Sequence, residues 1–185
     1  MYIPSFDLLP SAALRWLAMA LLLLSLVFLV IPVVAHAAPA DDGVAELQRD
    51  WEVINYQTAA SEREKRFEAL AAKAHRVSEA HPGRSEPLVW EGIVLSSWAG
   101  AKGGLGALGL AKQAKALYEA AIQIDGSVLD GSAYNSLGVL YYKVPGWPLG
   151  FGDKAKAAEL LGKALSLNPT GIDPNFFYAE YLVET

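Results

Sequence analysis

A pattern that occurs twice along the chain limits what it can fold into. Ala157, Leu161, Ala164 and Pro169 have the same spacing as Ala114, Tyr118, Ala121 and Gly126. Steps of three and four residues place side chains on one face of a helix. The segment before each set contains a glycine, Gly92 or Gly138, whose lack of a side chain lets two helices approach closely. The pattern therefore predicts successive helix pairs of one design.

The second of these units resembles a tetratricopeptide repeat (TPR). It reads Tyr134-x-x-Leu137-Gly138-x-x-Tyr141 before the Ala157 set, as that family does. The same slots hold Leu88, Gly92 and Leu95 in the preceding unit, and Asn175, Tyr178, Ala179 and Leu182 near the end. The resemblance implies an all-α fold, a right-handed superhelix of about seven antiparallel helices, with repeats at approximately 85–126 and 132–169 and a partial repeat at 173–185.

Two further helices are expected ahead of the repeats. Acidic residues open an amphipathic segment over 41–56, and Ser61-x-x-Glu64 has the form of a capping box that starts a second helix. Pro82-Gly83 ends that helix. Repeat arrays need atypical ends that cover their apolar faces, so this pair is expected to be a degenerate repeat or an N-terminal cap.

Residues 1–37 have the features of a secretory signal peptide. Arg15 precedes an uncharged stretch over 16–34, and Ala35-His36-Ala37 is a small-residue cleavage motif. Nineteen uncharged residues are also long enough to cross a bilayer, so a retained membrane anchor is the alternative. Both interpretations place the domain at 38–185 outside the cytoplasm, in the periplasm if the source is bacterial.

Charge and composition argue against several classes of function. The net charge is −5, and it stays −5 without residues 1–37, which argues against nucleic acid as a partner. There is no cysteine, which excludes disulfides, thiolate metal ligands and cysteine nucleophiles. Of the three histidines, His75 and His81 are six residues apart, on different faces of a helix, so no metal site is expected. No cofactor is predicted.

One motif is typical of an enzyme. Gly104-Leu105-Gly106-Ala107-Leu108-Gly109 matches G-x-G-x-x-G, the dinucleotide-binding fingerprint. That site needs a buried strand leading into the first glycine, whereas residues 98–103 are rich in glycine and alanine and residues 107–124 fit one continuous helix. No Ser-His-Asp arrangement or acid–base carboxylate pair stands out either. We therefore expect a protein that is not an enzyme.

The resemblance implies where a partner would bind. In TPR proteins the first helix of each repeat lines a concave surface, which assigns Asn135, Val139, Tyr142 and Lys143 to it, then Val89, Ile93, Ser96 and Ser97, then Phe176, Glu180 and Val183. Lys143 with Asn135 is one candidate for holding a carboxylate. The aromatic final helix, around Phe176, is either a cap or a face for a partner or a second copy.

Two segments longer than the repeat pattern requires are predicted as loops on one edge, Trp98–Gly106 and Pro145–Gly152. Trp98, Trp147 and Phe151 are large aromatics within or beside glycine and proline, which makes them candidate anchors for a partner. The alternative is that they fold back and plug the edge of the domain. The partner-binding residues expected from sequence are thus Asn135, Val139, Tyr142, Lys143, Trp147, Phe151, Trp98 and Phe176.

The function expected is an extracytoplasmic interaction or scaffold module that binds a peptide or protein. The alternative is a small-ligand-binding accessory component of a periplasmic transport system. The second expectation follows from a weaker resemblance to the TPR-like T-component of TRAP-type transporters, which are usually lipid-anchored through a cysteine that this chain lacks.

Overall fold

The fold is known from a computed structural model, which describes the backbone of residues 39–185 and the side chains of residues 42–185. The predicted signal segment, 1–37, lies outside the described residues. The described part is built from seven helices, so an all-α domain of about seven helices is confirmed. They are α1 (Pro39–Gln57), α2 (Ala60–Ala80), α3 (Ser85–Lys102), α4 (Gly104–Asp125), α5 (Val128–Lys143), α6 (Lys154–Leu167) and α7 (Ile172–Glu184). None of these helices combines the length and apolarity needed to cross a membrane.

The odd-numbered and the even-numbered helices differ in which other helices they contact. Each helix packs on its neighbours along the chain, and α1 also contacts α3, α3 contacts α5, and α5 contacts α7. The backbones of the described even-numbered helices do not approach one another in this way. The odd-numbered helices therefore form a continuous row.

The predicted close approach within each helix pair is present. A Cβ atom built on Gly92 of α3 would lie 2.5 Å from Tyr118 Cε1 of α4, and one on Gly138 of α5 would lie 2.7 Å from Leu161 Cγ of α6. Tyr118 and Leu161 are completely buried. In both helix pairs, α3–α4 and α5–α6, a large buried side chain at the same repeat position of the even-numbered helix therefore packs against the glycine of the odd-numbered helix.

Two local predictions need correction. Residues 98–106 do not form a loop, because α3 continues to Lys102 and α4 begins at Gly104, with Gly103 at a positive φ between them. The Ser61 capping box is wrong, since α2 begins at Ala60 and no side chain caps it. Leu129, Asp130 and Gly131 have positive φ values, so α5 becomes regular only beyond them.

The segment between α5 and α6, residues 144–153, is a loop, and backbone hydrogen bonds hold it together and connect it to the end of α5. Gly152 N donates to Pro145 O at 2.9 Å, and Asp153 N donates to Tyr141 O at 2.8 Å. A Cβ on Gly152 would lie 2.0 Å from Val144 O, so only glycine fits there. Asp153 then caps α6 by accepting a hydrogen bond from Lys156 N at 3.0 Å. We call this segment the Trp147 loop.

The Gly92 contact predicts a stability effect. In a Gly92→Ala variant the new methyl group collides with the Tyr118 ring, and overpacking of this kind costs about 1–3 kcal/mol. Gly100→Ala is the matched control on the same helix, because nothing lies within 4 Å of its Cβ position; it should gain about 0.5–1 kcal/mol. Urea unfolding followed by circular dichroism measures both, and equal stability of the two variants would contradict the packing described.

Candidate functional site

A cleft of about 500 Å³ runs along the row of odd-numbered helices. Helical periodicity brings its lining together, because each helix contributes residues three or four positions apart. The lining residues are Gln48, Trp51, Glu52, Asn55 and Tyr56 from α1, Trp90, Ile93, Ser96 and Ser97 from α3, Tyr118 from α4, Ser132, Asn135, Ser136, Val139 and Leu140 from α5, and Asp173 and Phe177 from α7. All four odd-numbered helices therefore take part in one site.

The floor of the cleft is polar although it is buried. Tyr118 reaches it from α4, where its hydroxyl lies 3.1 Å from Ser96 Oγ. Burial raises the pKa of the Tyr118 phenol well above its ordinary value, against the opposing effect of hydrogen bonds with Ser96 and Ser136. The Tyr118 hydroxyl therefore stays protonated and gives the floor a neutral group that both donates and accepts.

Asn135 is a floor residue whose side-chain oxygen has no hydrogen-bond partner among its neighbours. Its side chain is 95% buried and its Oδ1 atom has no hydrogen-bond partner. A buried acceptor without a partner costs about 1–3 kcal/mol, and such groups are uncommon in folded proteins. At the bottom of a cleft, an ordered water or a bound ligand can supply the missing donor to such a group.

Aromatic rings form the wall at the α1 end. Trp51 Nε1 donates to Ser97 Oγ at 2.8 Å, which fixes the indole across the gap between α1 and α3. The rings of Tyr56 and Trp90 pack edge-on against Trp51, with centroid distances of 5.8 and 6.2 Å. This wall is therefore mostly apolar, and Tyr56 is its most exposed member.

The sequence-predicted groove residues divide into two groups. Asn135 and Val139 line the cleft together with Ile93, Ser96 and Ser97. Val89 is fully buried, and Tyr142, Lys143, Phe176, Glu180 and Val183 lie outside the lining. On α7 the aromatic side chain that lines the cleft is Phe177, whose ring packs edge-on against that of Phe176 at 5.2 Å.

Tyr142 and Lys143 instead attach α7 to α5. The Tyr142 hydroxyl donates to the Glu180 carboxylate, and Lys143 Nζ lies 2.6 Å from Glu184 Oε1 and 3.2 Å from Glu180 Oε1. The Tyr142 hydrogen bond, followed by the Lys143 contact, lowers the pKa of the Glu180 carboxyl, against an opposing effect of burial. The Lys143 charge is therefore compensated by two carboxylates and does not share the cleft with Asn135.

The Trp147 loop both plugs the edge and exposes a side chain. Phe151 packs against the hydrophobic core, edge-on to Tyr141 at 5.6 Å, with Lys115 Nζ 5.9 Å from its ring centroid. Trp147 is 90% exposed. Phe151 is thus an anchor of the loop, and Trp147 is its free tip.

Trp98 lies on α3 and belongs to a different hollow. It lines a groove of about 570 Å³ with residues of α2 and α4, including His75 and Gln113, and is partly buried against the core. The floor of the groove includes Glu91, whose carboxylate accepts a hydrogen bond from Ser78 and lies 2.9 Å from His75 Nδ1. Trp98 Nε1 is buried without a partner. Trp98 therefore lines a groove to which Trp147 does not contribute.

The glycine motif at 104–109 forms the start of α4. Helix α3, and not a strand, leads into it, so the geometry that a dinucleotide fingerprint needs is missing. Among residues 42–185 no group of histidine, aspartate and glutamate is arranged to hold a metal ion.

Several lining residues were missed from sequence. Trp51, Glu52, Trp90, Tyr118, Asp173 and Phe177 line the cleft but are not among the residues that the repeat pattern assigns to the concave surface. A pattern that could have predicted the lining is present on α1, where Gln48, Trp51 and Asn55 recur at helical spacing beside the apolar face of that helix. No protein-family model matches this chain, and neither does any curated protein.

The unpartnered oxygen of Asn135 predicts an unusual response to substitution. Asn135→Leu keeps the approximate volume and removes the unsatisfied acceptor, so stability should rise by about 1 kcal/mol. Ser85→Ala is the contrasting control, because Ser85 Oγ is buried and donates to Ala121 O at 3.2 Å; its loss should cost about 1 kcal/mol. Thermal and urea unfolding decide the question, and a loss of stability in Asn135→Leu would show that the oxygen is satisfied in the native protein.

Proposed function

We propose that residues 38–185 form a TPR-like repeat domain, exported from the cytoplasm, that binds a peptide or protein partner in the cleft and catalyses no reaction. Its right-handed superhelical arrangement is part of the proposal. The row of odd-numbered helices supports it, since each first helix of a repeat contacts the next first helix and leaves one face free. Export is supported by the charge, apolar run and small-residue motif of residues 1–37.

The observation that carries the proposal is the make-up of the cleft. It crosses four helices, its rim residues Gln48, Glu52 and Asp173 are exposed, and its floor holds an unpartnered buried amide. A trough of this form accepts an extended chain along its length. The buried polar groups on its floor then give direction and specificity to that chain, while the aromatic wall supplies apolar contact area.

A second candidate, a small-ligand-binding accessory component, is favoured by one observation. The volume of about 500 Å³ lies in the range of small-molecule pockets. The two candidates differ in what occupies the cleft, a segment of another protein or a free small molecule.

Site-specific photo-crosslinking tests the proposal. A photoreactive phenylalanine derivative is placed at position 139 in the cleft, at position 147 at the loop tip, and at position 159 on the outer surface of α6 as a control. In cells that make the protein natively, position 139 should yield a protein adduct in the extracytoplasmic fraction, and position 159 should yield none.

Other outcomes separate the alternatives. An adduct from position 147 without one from position 139 would move the interface to the Trp147 loop. No protein adduct from position 139, together with a small molecule that co-purifies in native mass spectrometry, would favour the accessory-component function.

A further inference from the structure

The charged side chains that line the cleft are all acidic. Glu52 and Asp173 belong to the lining, and none of its members is lysine, arginine or histidine. Among the described residues, Glu52 accepts a hydrogen bond only from the neutral Gln48, at 3.2 Å, and Asp173 forms no ion pair. Lys143, the basic residue expected from sequence to serve this surface, is compensated by Glu180 and Glu184. The electrostatic field in the cleft therefore attracts a cation and repels a carboxylate.

Each acidic side chain shares its helix face with an aromatic ring. Tyr56 stands four residues after Glu52 on α1, next to Trp51, and Phe177 stands four residues after Asp173 on α7. Residues four apart are neighbours on a helix surface. A ring face attracts lysine and arginine, and a nearby carboxylate strengthens that attraction. Each end of the cleft thus presents the combination that recognises a cationic side chain.

The floor between the two ends offers acceptors for the donors of a bound chain. Asn135 Oδ1 has no hydrogen-bond partner. A rotation of the terminal amide that points this oxygen into the cleft therefore breaks no hydrogen bond of Oδ1. The hydroxyls of Ser96, Ser132 and Ser136 lie along the same lining. Lysine, arginine and backbone N–H groups are all donors, which matches these acceptors.

The two acidic–aromatic pairs are on the first and the last helix of the row, and this separation sets the size of the ligand. Packed helices lie about 8–10 Å apart, so the three steps from α1 to α7 span at most about 30 Å. An extended chain advances about 3.3 Å per residue, so up to about nine residues cover that distance.

We propose that the cleft recognises an extended segment of a partner protein that carries two cationic side chains, arginine or lysine, one for the Glu52 end and one for the Asp173 end. This inference rests on the proposed function and names the chemistry of its partner.

Fluorescence anisotropy with capped synthetic peptides tests it on the purified protein. Each peptide carries two arginines separated by a neutral spacer of about two, five or eight residues, and a matched set carries citrulline, which has the shape of arginine without its charge. The two-residue spacer covers only about 10 Å and should bind most weakly, and citrulline at both positions should weaken binding roughly tenfold or more. Glu52→Gln and Asp173→Asn should each weaken binding roughly two- to fivefold.

Glu159→Gln is the control variant, because Glu159 is an exposed carboxylate of α6 that lies outside the cleft. The affinity of this variant for the arginine peptides should equal that of the wild-type protein. Asp173 also lies in the first turn of α7, so Glu52→Gln, in the middle of α1, provides the test without a helix-start effect. Far-UV circular dichroism confirms that each variant is folded.

Three results would overturn the inference. The first is equal binding of the arginine and citrulline peptides, and the second is preferred binding of an acidic peptide or a neutral oligosaccharide. The third is no binding by any of the peptides while position 139 still crosslinks to a protein, in which case the proposed function stands and the cationic preference fails. If position 139 crosslinks to nothing and no peptide binds, both proposals fail together.

Discussion

The contact between Gly92 and Tyr118 determines how the α3–α4 pair and the cleft are built. Because Gly92 has no side chain, the Tyr118 ring fits against the backbone of α3, at a distance that a Cβ atom would reduce to 2.5 Å. The ring then extends far enough for its hydroxyl to reach Ser96 on the cleft side of α3. A helix on one side of the row thereby supplies a polar group to the surface on the other side. Core packing and the chemistry of the site depend on the same side chain.

The α5–α6 pair uses the same packing with a different result. Leu161 meets Gly138 as Tyr118 meets Gly92, but leucine carries no polar group into the cleft. The polar character of this half comes from α5 itself, through Ser132, Asn135 and Ser136. The cleft is therefore asymmetric, and its polar floor lies where α3 and α5 meet.

The parts of the fold that follow from local chemistry were predictable from sequence. Periodicity and helix-ending residues gave the number of helices, and the small residues Gly92 and Gly138 gave the close contacts within pairs. The break between α3 and α4 was not predictable in the same way. A run of glycines signals a loop, but only Gly103 lies outside the two helices, and the positive φ values of Gly103 and Gly104 make the turn.

The site was predicted less completely, because side-chain direction at the ends of the row depends on packing between helices. Asn135 and Val139, which the repeat slots assign to the concave surface, line the cleft, whereas on α7 Phe177 lines it and Phe176 does not. Lys143 shows the same limit. Its position in the repeat pattern predicts that it lines the groove. In the structure its charge is instead paired with the Glu180 and Glu184 carboxylates of α7, about forty residues further along the chain.

The indole N–H signals of the described tryptophans provide the most direct test that the cleft is the binding surface. Trp51 and Trp90 lie in the cleft, Trp98 in the groove between α2 and α4, and Trp147 at the loop tip. In a ¹⁵N-correlated NMR titration with the two-arginine peptide, the account predicts that the Trp51 and Trp90 signals move and saturate together while those of Trp98 and Trp147 stay in place. Movement of the Trp147 or Trp98 signal, with Trp51 and Trp90 unchanged, would contradict it.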